Sequence, residues 1–502
     1  EDGRVFMMEK MWLGLWCIGA ALVLGALGDI LLRGTPWGIN VFLWTLALVA
    51  FVVAPLALRG ASWMGRWMLP ASLLFAGFVA WRDSAFLTFL NVCAVLACLS
   101  VAAWGRAGRL RLRGLSGYAL SSIYSGAFAV AGPIPTAVSD TRWDGISRDG
   151  WRRPVLSVLL GLCIAAPLLF VFGGLLIAAD AVFADIASRT FDFDAAQIFS
   201  HAFLILFLAW ISAGFLRAAL GKYDAPDPSI ERPNAISLGP VEVGVALGLL
   251  DALFLAFVIV QARYLFGGAQ RVAAGLTYAE YARSGFFELV AVVALVVPVL
   301  LLAHWLFVAG RRGRLLFGML TMMTVALVLV IMASAMWRMN LYYEAFGLTE
   351  LRFYATAFIV WLGAILAFLT ATVIQNRRSR FASWTIASCF AAVIALNAMN
   401  PDALIARANI ERMEEGKRLD AYYLTLLSDD AAPAIARHLP EIGDRRLFEH
   451  EMATPSGKER EVYGPTLEKA MIGQWKARED DWRTWNTSRI KAQEIAGDLE
   501  AR

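Results

Sequence analysis

Apolar residues run through the first four-fifths of the chain in long blocks separated by short polar stretches. A bilayer-crossing helix needs about 20 mostly apolar residues. Eleven blocks meet or approach that length, at roughly 11–32, 37–58, 66–81, 84–105, 153–179, 197–220, 239–266, 284–309, 315–337, 351–375 and 381–399. The third is the shortest. The first is too long for a cleaved leader, and Gly25 to Gly28 flow into further apolar sequence, so it is expected to stay as a span. The pattern predicts an all-α, polytopic transmembrane bundle of about eleven spans over residues 1–399.

After Met399 the pattern changes, and residues 400–502 read as a soluble helical tail. Leu404, Ala408 and Ile410 precede an acidic break at Glu414-Glu415-Gly416, and Leu419 to Leu427 form an apolar face. Ser428 has the chemistry of an N-cap, with Asp429 and Asp430 at the positive end of the helix it would open. Pro433 suits an early position in that helix. From His450 onward the periodicity weakens. Trp475, Trp482 and Trp485 keep helical intervals and are expected to dock on the bundle or on the bilayer surface. Asn486-Thr487-Ser488 matches a glycosylation acceptor in pattern only.

Composition sharpens this division. The chain is 59% hydrophobic and 17% charged, with mean hydropathy +0.61, where soluble domains run near 45–50% and about 25%. A soluble enzyme, a disordered chain and a nucleic-acid binder are excluded. Residues 400–502 hold 16 Lys+Arg and 20 Asp+Glu, a net −4, and residues 1–399 hold 29 and 21, a net +8. The basic pI of about 8.8 therefore reports Arg-rich membrane loops. Cys17, Cys93, Cys98, Cys163 and Cys389 all lie in apolar runs, without a CxxC and without ligand spacing to the four histidines. No metal site, disulfide framework or cofactor is expected.

Basic residues also set sidedness. The N-terminus and the loops after spans 2, 4, 6, 8 and 10 carry 21 Lys+Arg, and the opposite loops carry eight. This predicts a membrane protein with its N-terminus in the cytoplasm and its tail outside. The stretch 114–152 is half apolar but broken at Gly132-Pro133-Ile134-Pro135. It reads as a cytoplasmic amphipathic or re-entrant segment, the plainer alternative being a loop on the lipid surface.

The outer loops bring acids and arginines to the membrane edge. They hold Asp29 and Arg33, then Asp180, Asp185, Asp192 and Asp194, then Arg263 with Glu280 and Arg283, then Arg338, Glu344 and Arg352. Glu280 and Arg283 are i,i+3 neighbours on a predicted helix. Gly347 is placed to end one helix, and Thr349 to cap another that starts at Glu350. Charges at such depth are costly unless paired or wet. Two readings fit: an aromatic belt with structural ion pairs, or a shared site formed by Asp29, Arg33, Arg263, Glu280, Arg283, Arg338, Glu344 and Arg352. The second would suit an anionic or polyhydroxylated ligand, with Arg forks on phosphate or carboxylate. Within the spans, Asp251 lies midway along its block, and His201, His304 and Asn91 are further buried polar candidates. Asp251, His201 and His304 are the candidates for a proton or ion relay. Gly244 and Gly248 form a GxxxG that suits close helix packing.

The segments Arg263 to Gly268, Tyr278 to Leu289, Met336 to Arg352 and Asn400 to Arg412 resemble a bacterial membrane family known as domain of unknown function 4173, which overlaps the group numbered 4153. Gly28 to Asn40 is similar too, and the likeness covers most of residues 11–440. It implies a bacterial cytoplasmic-membrane setting and a many-helix topology with an outer helical tail, and supplies no catalytic residues. Three functions stay open. The first is a non-enzymatic protein that binds an anionic lipid, an envelope glycan or a protein partner through its outer face and tail. The second is a proton- or ion-coupled transporter using Asp251. The third is a membrane enzyme acting on a lipid-linked substrate.

Overall fold

The computed structural model describes residues 2–58, 67–104, 115–136, 172–173, 176, 179–180, 195–221, 238–266, 286–308, 310–374, 378–454, 457–477 and 481–501. The membrane part contains α1 (Asp2–Leu32), α2 (Ile39–Leu58), α3 (Met68–Trp81), α4 (Ala85–Trp104), α5 (Leu115–Ala131), α6 (Ala195–Leu220), α7 (Pro240–Phe266), α8 (Phe286–Leu306), α9 (Arg311–Phe346), α10 (Glu350–Ile374) and α11 (Arg378–Met399). The tail follows as α12 (Pro401–Glu414), α13 (Ala421–Leu426), α14 (Ala432–Ile442), strands β1 (Arg446–Thr454) and β2 (Gly457–Thr466), α15 (Leu467–Lys476) and α16 (Thr487–Glu500).

Nine helices among the described residues are long and apolar enough to cross a membrane. They match nine of the eleven expected blocks. The block at 66–81 is α3, with 14 residues; at 1.5 Å per residue it spans about 21 Å, short of the ~30 Å hydrocarbon core. The block at 153–179 lies almost wholly outside the described residues.

The membrane part packs around two cores. One gathers Leu24, Leu56, Phe75, Cys98 and Leu216 from α1–α4 and α6. The other gathers Leu247, Leu300, Val328, Ile359 and Leu366 from α7–α10. Contacts fix helix directions. Asp251 meets Thr324, and ten residues further along both helices Gln261 meets Ser334, so α7 and α9 run parallel. Asp29 meets His201 while Gly25 faces Ala209, so α1 and α6 run antiparallel. The ends of α1, α3 and α9 share one side with the tail: Arg483 donates to the Ile30 carbonyl, Asn486 to that of Arg82 and Arg412 to that of Glu344, while Arg82 donates to the Asn397 carbonyl at the end of α11.

Small residues set the closest approaches, though not where the GxxxG suggested. A Cβ on Gly248 would meet nothing within 4 Å, and one on Gly244 only Leu316 at 3.6 Å. A Cβ on Gly25 would lie 2.3 Å from the Ile205 carbonyl, and one on Gly214 2.3 Å from that of Ala129. α5 holds the described part of the 114–152 stretch. Its Ser125 donates to the Ser100 carbonyl (3.2 Å), and its Val130 carbonyl accepts from Trp210 (2.7 Å). α5 thus packs between α4 and α6 and stops at Ala131, level with the middle of α6, before Gly132 and Pro133. A short turn at Pro133–Pro135 follows, and the rest of the 114–152 stretch lies outside the described residues.

The tail surrounds a third core of Ile405, Ile410, Leu424, Ile435, Leu467, Met471 and Trp475. It is not helical throughout: β1 and β2 form an antiparallel hairpin across the stretch where helical periodicity fades. The Trp spacing does not mark one helix face. Trp475 is buried in the tail's own core, while Trp482 and Trp485 stay exposed outside it. Ser428 caps no helix through its side chain; its hydroxyl donates to Asp402, and a single 3-10 turn at Asp429–Ala431 precedes α14.

Candidate functional site

The tail is seated on the bundle by a buried polar junction. α3 ends under the N-terminus of α16, and the last carbonyls of a helix lack partners of their own. Asn486 donates to the carbonyls of Val79 and Arg82 (2.9 Å each), Ser488 to Trp81 (3.1 Å) and Thr487 to Ala80 (3.5 Å). Asn486 is wholly buried and also N-caps α16, so the acceptor pattern read at this position is a structural cap.

Asp430 binds the turn that follows α3. Its Oδ2 accepts the backbone N–H groups of Asp83 and Ser84 (3.0 Å each), and its Oδ1 accepts the Ser488 hydroxyl, with Arg82 at 3.7 Å. Arg489 pairs with Asp83 at 2.5 Å. Arg82 also donates Nε–H to the Asn397 carbonyl (2.8 Å), and Asn397 exchanges amide bonds with Asn91 (3.0 and 2.9 Å). Burial raises the Asp430 carboxyl above its ordinary range, against the hydrogen bonds from Ser488 and Ser84 and the charge of Arg82. Asp402 is fully buried at the start of α12. Burial pushes it up to about 6, reinforced by the neighbouring Glu350 and opposed by Ser428. Tyr423, whose hydroxyl accepts the Glu350 N–H (2.8 Å), is raised by burial and by the same two carboxyls.

Beside this junction lies a groove of about 830 Å³ between the end of α9 and the tail. Five cations line it, Arg412, Lys417, Arg418, Arg445 and Arg446, against two acids, Glu344 and Asp420. Both acids already serve intramolecular donors. Asp420 caps α13 by accepting the Tyr423 N–H (2.9 Å), and Glu344 accepts from Asn340 (3.1 Å). Arg412 is 6% exposed, donates one N–H to the Glu344 carbonyl (2.8 Å) and has an Nε–H without a hydrogen-bond partner. No described carboxylate pairs with it. A buried guanidinium without a counter-charge is costly, and it faces a cavity where an anion would supply that charge.

One wall is aromatic. Tyr422 lies tilted beside Phe448, and Phe448 stacks on Tyr463, each pair at 5.4 Å between centroids, with Phe346 also lining the groove. The hairpin builds this wall: Phe448 and Tyr463 are cross-strand partners. The register slips at Gly464-Pro465, and Gly464 (φ +88°) leaves room for the Phe448 ring, which a Cβ would approach to 2.7 Å.

The residues singled out from sequence fall into separate places. Asp29 pairs with Arg33 (3.2 Å) and His201 (2.5 Å) between α1 and α6. Arg352 donates to the Gly347 carbonyl and lies 3.8 Å over the Tyr342 ring, pinning the α9–α10 corner. Glu344 edges the groove, and Arg338 is half-buried further down α9. Arg263 is in the last turn of α7 with its side chain outside the description, and Glu280 and Arg283 lie outside the described residues. The relay candidates are also apart. His201 serves Asp29, Asp251 accepts from Thr324 (2.6 Å), and His304 stacks on Phe317. Arg412 stood inside the Asn400 to Arg412 segment without being singled out; only the fold reveals its burial. The groove's other cations had no spacing signal, because they come from a loop and a hairpin edge.

A family model described as a domain of unknown function, DUF4153, matches residues 68–438. Neither a curated protein nor a solved structure matches the chain.

Proposed function

We propose that this chain, which belongs to the DUF4153 family, is an integral membrane protein that binds an anionic envelope component in the groove between its bundle and its tail. The observation that carries this reading is Arg412, buried and without a described carboxylate partner, facing a groove with four further cations. Such a site needs no catalytic group, and among the described residues the groove assembles no pair of free carboxylates for the enzymatic alternative. The loop charge asymmetry supports an N-terminus in the cytoplasm and the tail, as a separate soluble unit, outside, and the family resemblance supports a bacterial inner-membrane setting. The Met336 to Arg352 and Asn400 to Arg412 segments support a narrower kinship with the 4173 group.

Binding of radiolabelled inorganic phosphate to the purified full chain tests the reading. Arg445 and Arg446 are exposed and Arg446 makes one exposed hydrogen bond, to the Gly464 carbonyl (3.2 Å), so Arg445→Gln with Arg446→Gln is expected to keep the fold, which a melting curve checks. The double variant is expected to bind about tenfold more weakly, and added salt to weaken the wild type, as two charge-assisted contacts are lost. Equal binding by both proteins would end this reading. Transport remains the second reading, favoured by Asp251, whose Oδ2 is buried without a hydrogen-bond partner. Unchanged proton flux through Asp251→Asn in proteoliposomes would remove it.

A further inference from the structure

Resting on that anion-binding reading, we infer that the groove's ligand is a phosphorylated saccharide, free or borne on a lipid, rather than the headgroup of a bulk phospholipid. Two observations point there. The first is height above the bilayer. The apolar run of α9 ends at Met336, and Trp337 and Arg338 have the composition of an interface. Glu344, Ala345 and Phe346 lie seven to nine residues further along α9, about 10–14 Å at 1.5 Å per residue. The headgroup layer adds only about 5–8 Å beyond the hydrocarbon on each side. A phospholipid phosphate stays within that layer, below the groove, whereas a saccharide projects out of it.

The second observation is the shape of the two walls. Phosphate oxygens accept well from guanidinium forks, and Arg412 is the buried fork, while Arg446 also lines the groove from the start of β1. Tyr422, Phe448 and Tyr463 line the same groove as a contiguous row of rings, 43%, 37% and 52% exposed. An exposed aromatic row of this kind offers a flat apolar shelf to the C–H face of a sugar ring, and the phenol hydroxyls offer hydrogen bonds to its hydroxyls. Inorganic phosphate uses one wall only. A phosphorylated sugar uses both.

Calorimetric titration of the full chain in detergent with glucose 1-phosphate and with inorganic phosphate tests this. The expected result is at least tenfold tighter binding of glucose 1-phosphate. Phe448→Ala with Tyr463→Ala, and separately Tyr422→Ala on a different element, should erase that advantage and leave inorganic phosphate binding unchanged. If glucose 1-phosphate binds no tighter than inorganic phosphate, or if phosphatidylglycerol in nanodiscs displaces it at a lower mole fraction than phosphatidylcholine does, the saccharide class is overturned and the anion reading stands. If neither anion responds to the Arg445→Gln, Arg446→Gln variant, both readings fall together.

Discussion

Asp402→Asn is expected to stabilise the protein at neutral pH. The wild-type carboxyl is fully buried beside Glu350, and burial raises its pKa to about 6 from the roughly 3.9 of a free aspartate. The native state therefore holds a proton more tightly than the unfolded chain. The linkage sign follows: stability falls as pH rises from about 4 to about 6 and is flat on either side. The gap of about 2 pH units, at 1.36 kcal/mol each, puts the cost of ionising Asp402 near 3 kcal/mol above pH 7. An asparagine carbonyl keeps an acceptor for the Ser428 N–H, and its amide can donate to Glu350, without the charge. For a unit the size of the tail, ~3 kcal/mol corresponds to a melting shift on the order of 10 °C. Thermal unfolding of both proteins in one detergent, from pH 4 to pH 8, reads this directly. The curves should meet near pH 4 and separate through pH 6, with the variant above. Parallel curves, or a variant less stable at pH 7.5, would refute the assignment of the raised pKa to Asp402.

Gly347 sits at φ +80°, ψ 179°, and a Cβ there would lie 2.5 Å from Asn409 Oδ1 and 2.6 Å from Arg412 Nη1. Gly347→Ala should cost roughly 1–3 kcal/mol from backbone strain alone, seen as a lower melting temperature. Asn486→Ala removes a helix cap and strands two buried carbonyls, a loss of about 2–4 kcal/mol; faster proteolytic release of the tail would report it. Gly25→Val should force α1 from α6 and abolish a monodisperse elution profile. Gly248→Ala, with open space at its Cβ, should stay within about 1 kcal/mol of the wild type and gain helix propensity if anything.

The sequence shows the bundle because a bilayer span is a property of composition over about 20 residues, readable without knowing any neighbour. Gly347 and the start of α10 at Glu350 were legible for the same reason: a cap is local. Four features were not. α3 looks weak as a span because its end is completed by residues 486–488, some 400 positions away. Asp429 and Asp430 have the local chemistry of a helix start, but Asp430 is drawn instead into the turn after α3. The Gly244–Gly248 spacing cannot say which face of α7 meets a helix, and the close approaches fall at Gly25 and Gly214. The hairpin escaped because Arg446 to Thr466 is strongly charged and lacks a clean two-residue alternation. The groove depends on it, since Phe448 and Tyr463 meet only through strand pairing.

The polar character of the junction follows from where it lies. An apolar seat would release about 25 cal/mol for each Å² buried, but only relative to water. Next to a bilayer, an apolar tail surface has a competing solvent in the lipid, and helices gain little from apolar contact there. Hydrogen-bond geometry discriminates where apolar area does not. The carbonyls of Val79, Ala80, Trp81 and Arg82 close α3 and have no continuing helix to satisfy them; the tail answers with Asn486, Thr487 and Ser488. The N–H groups of Asp83 and Ser84 point the other way, and Asp430 accepts both. Donors and acceptors thus match in sequence across one corner, which fixes both the position and the rotation of the tail. The same placement brings α12 under the end of α9, where Asn409 bonds both backbone groups of Leu348 (2.8 Å each) and Arg412 reaches Glu344. The groove beside Arg412 is therefore held between two fixed walls, and its shape depends on a seat built from helix-end groups that lipid cannot order.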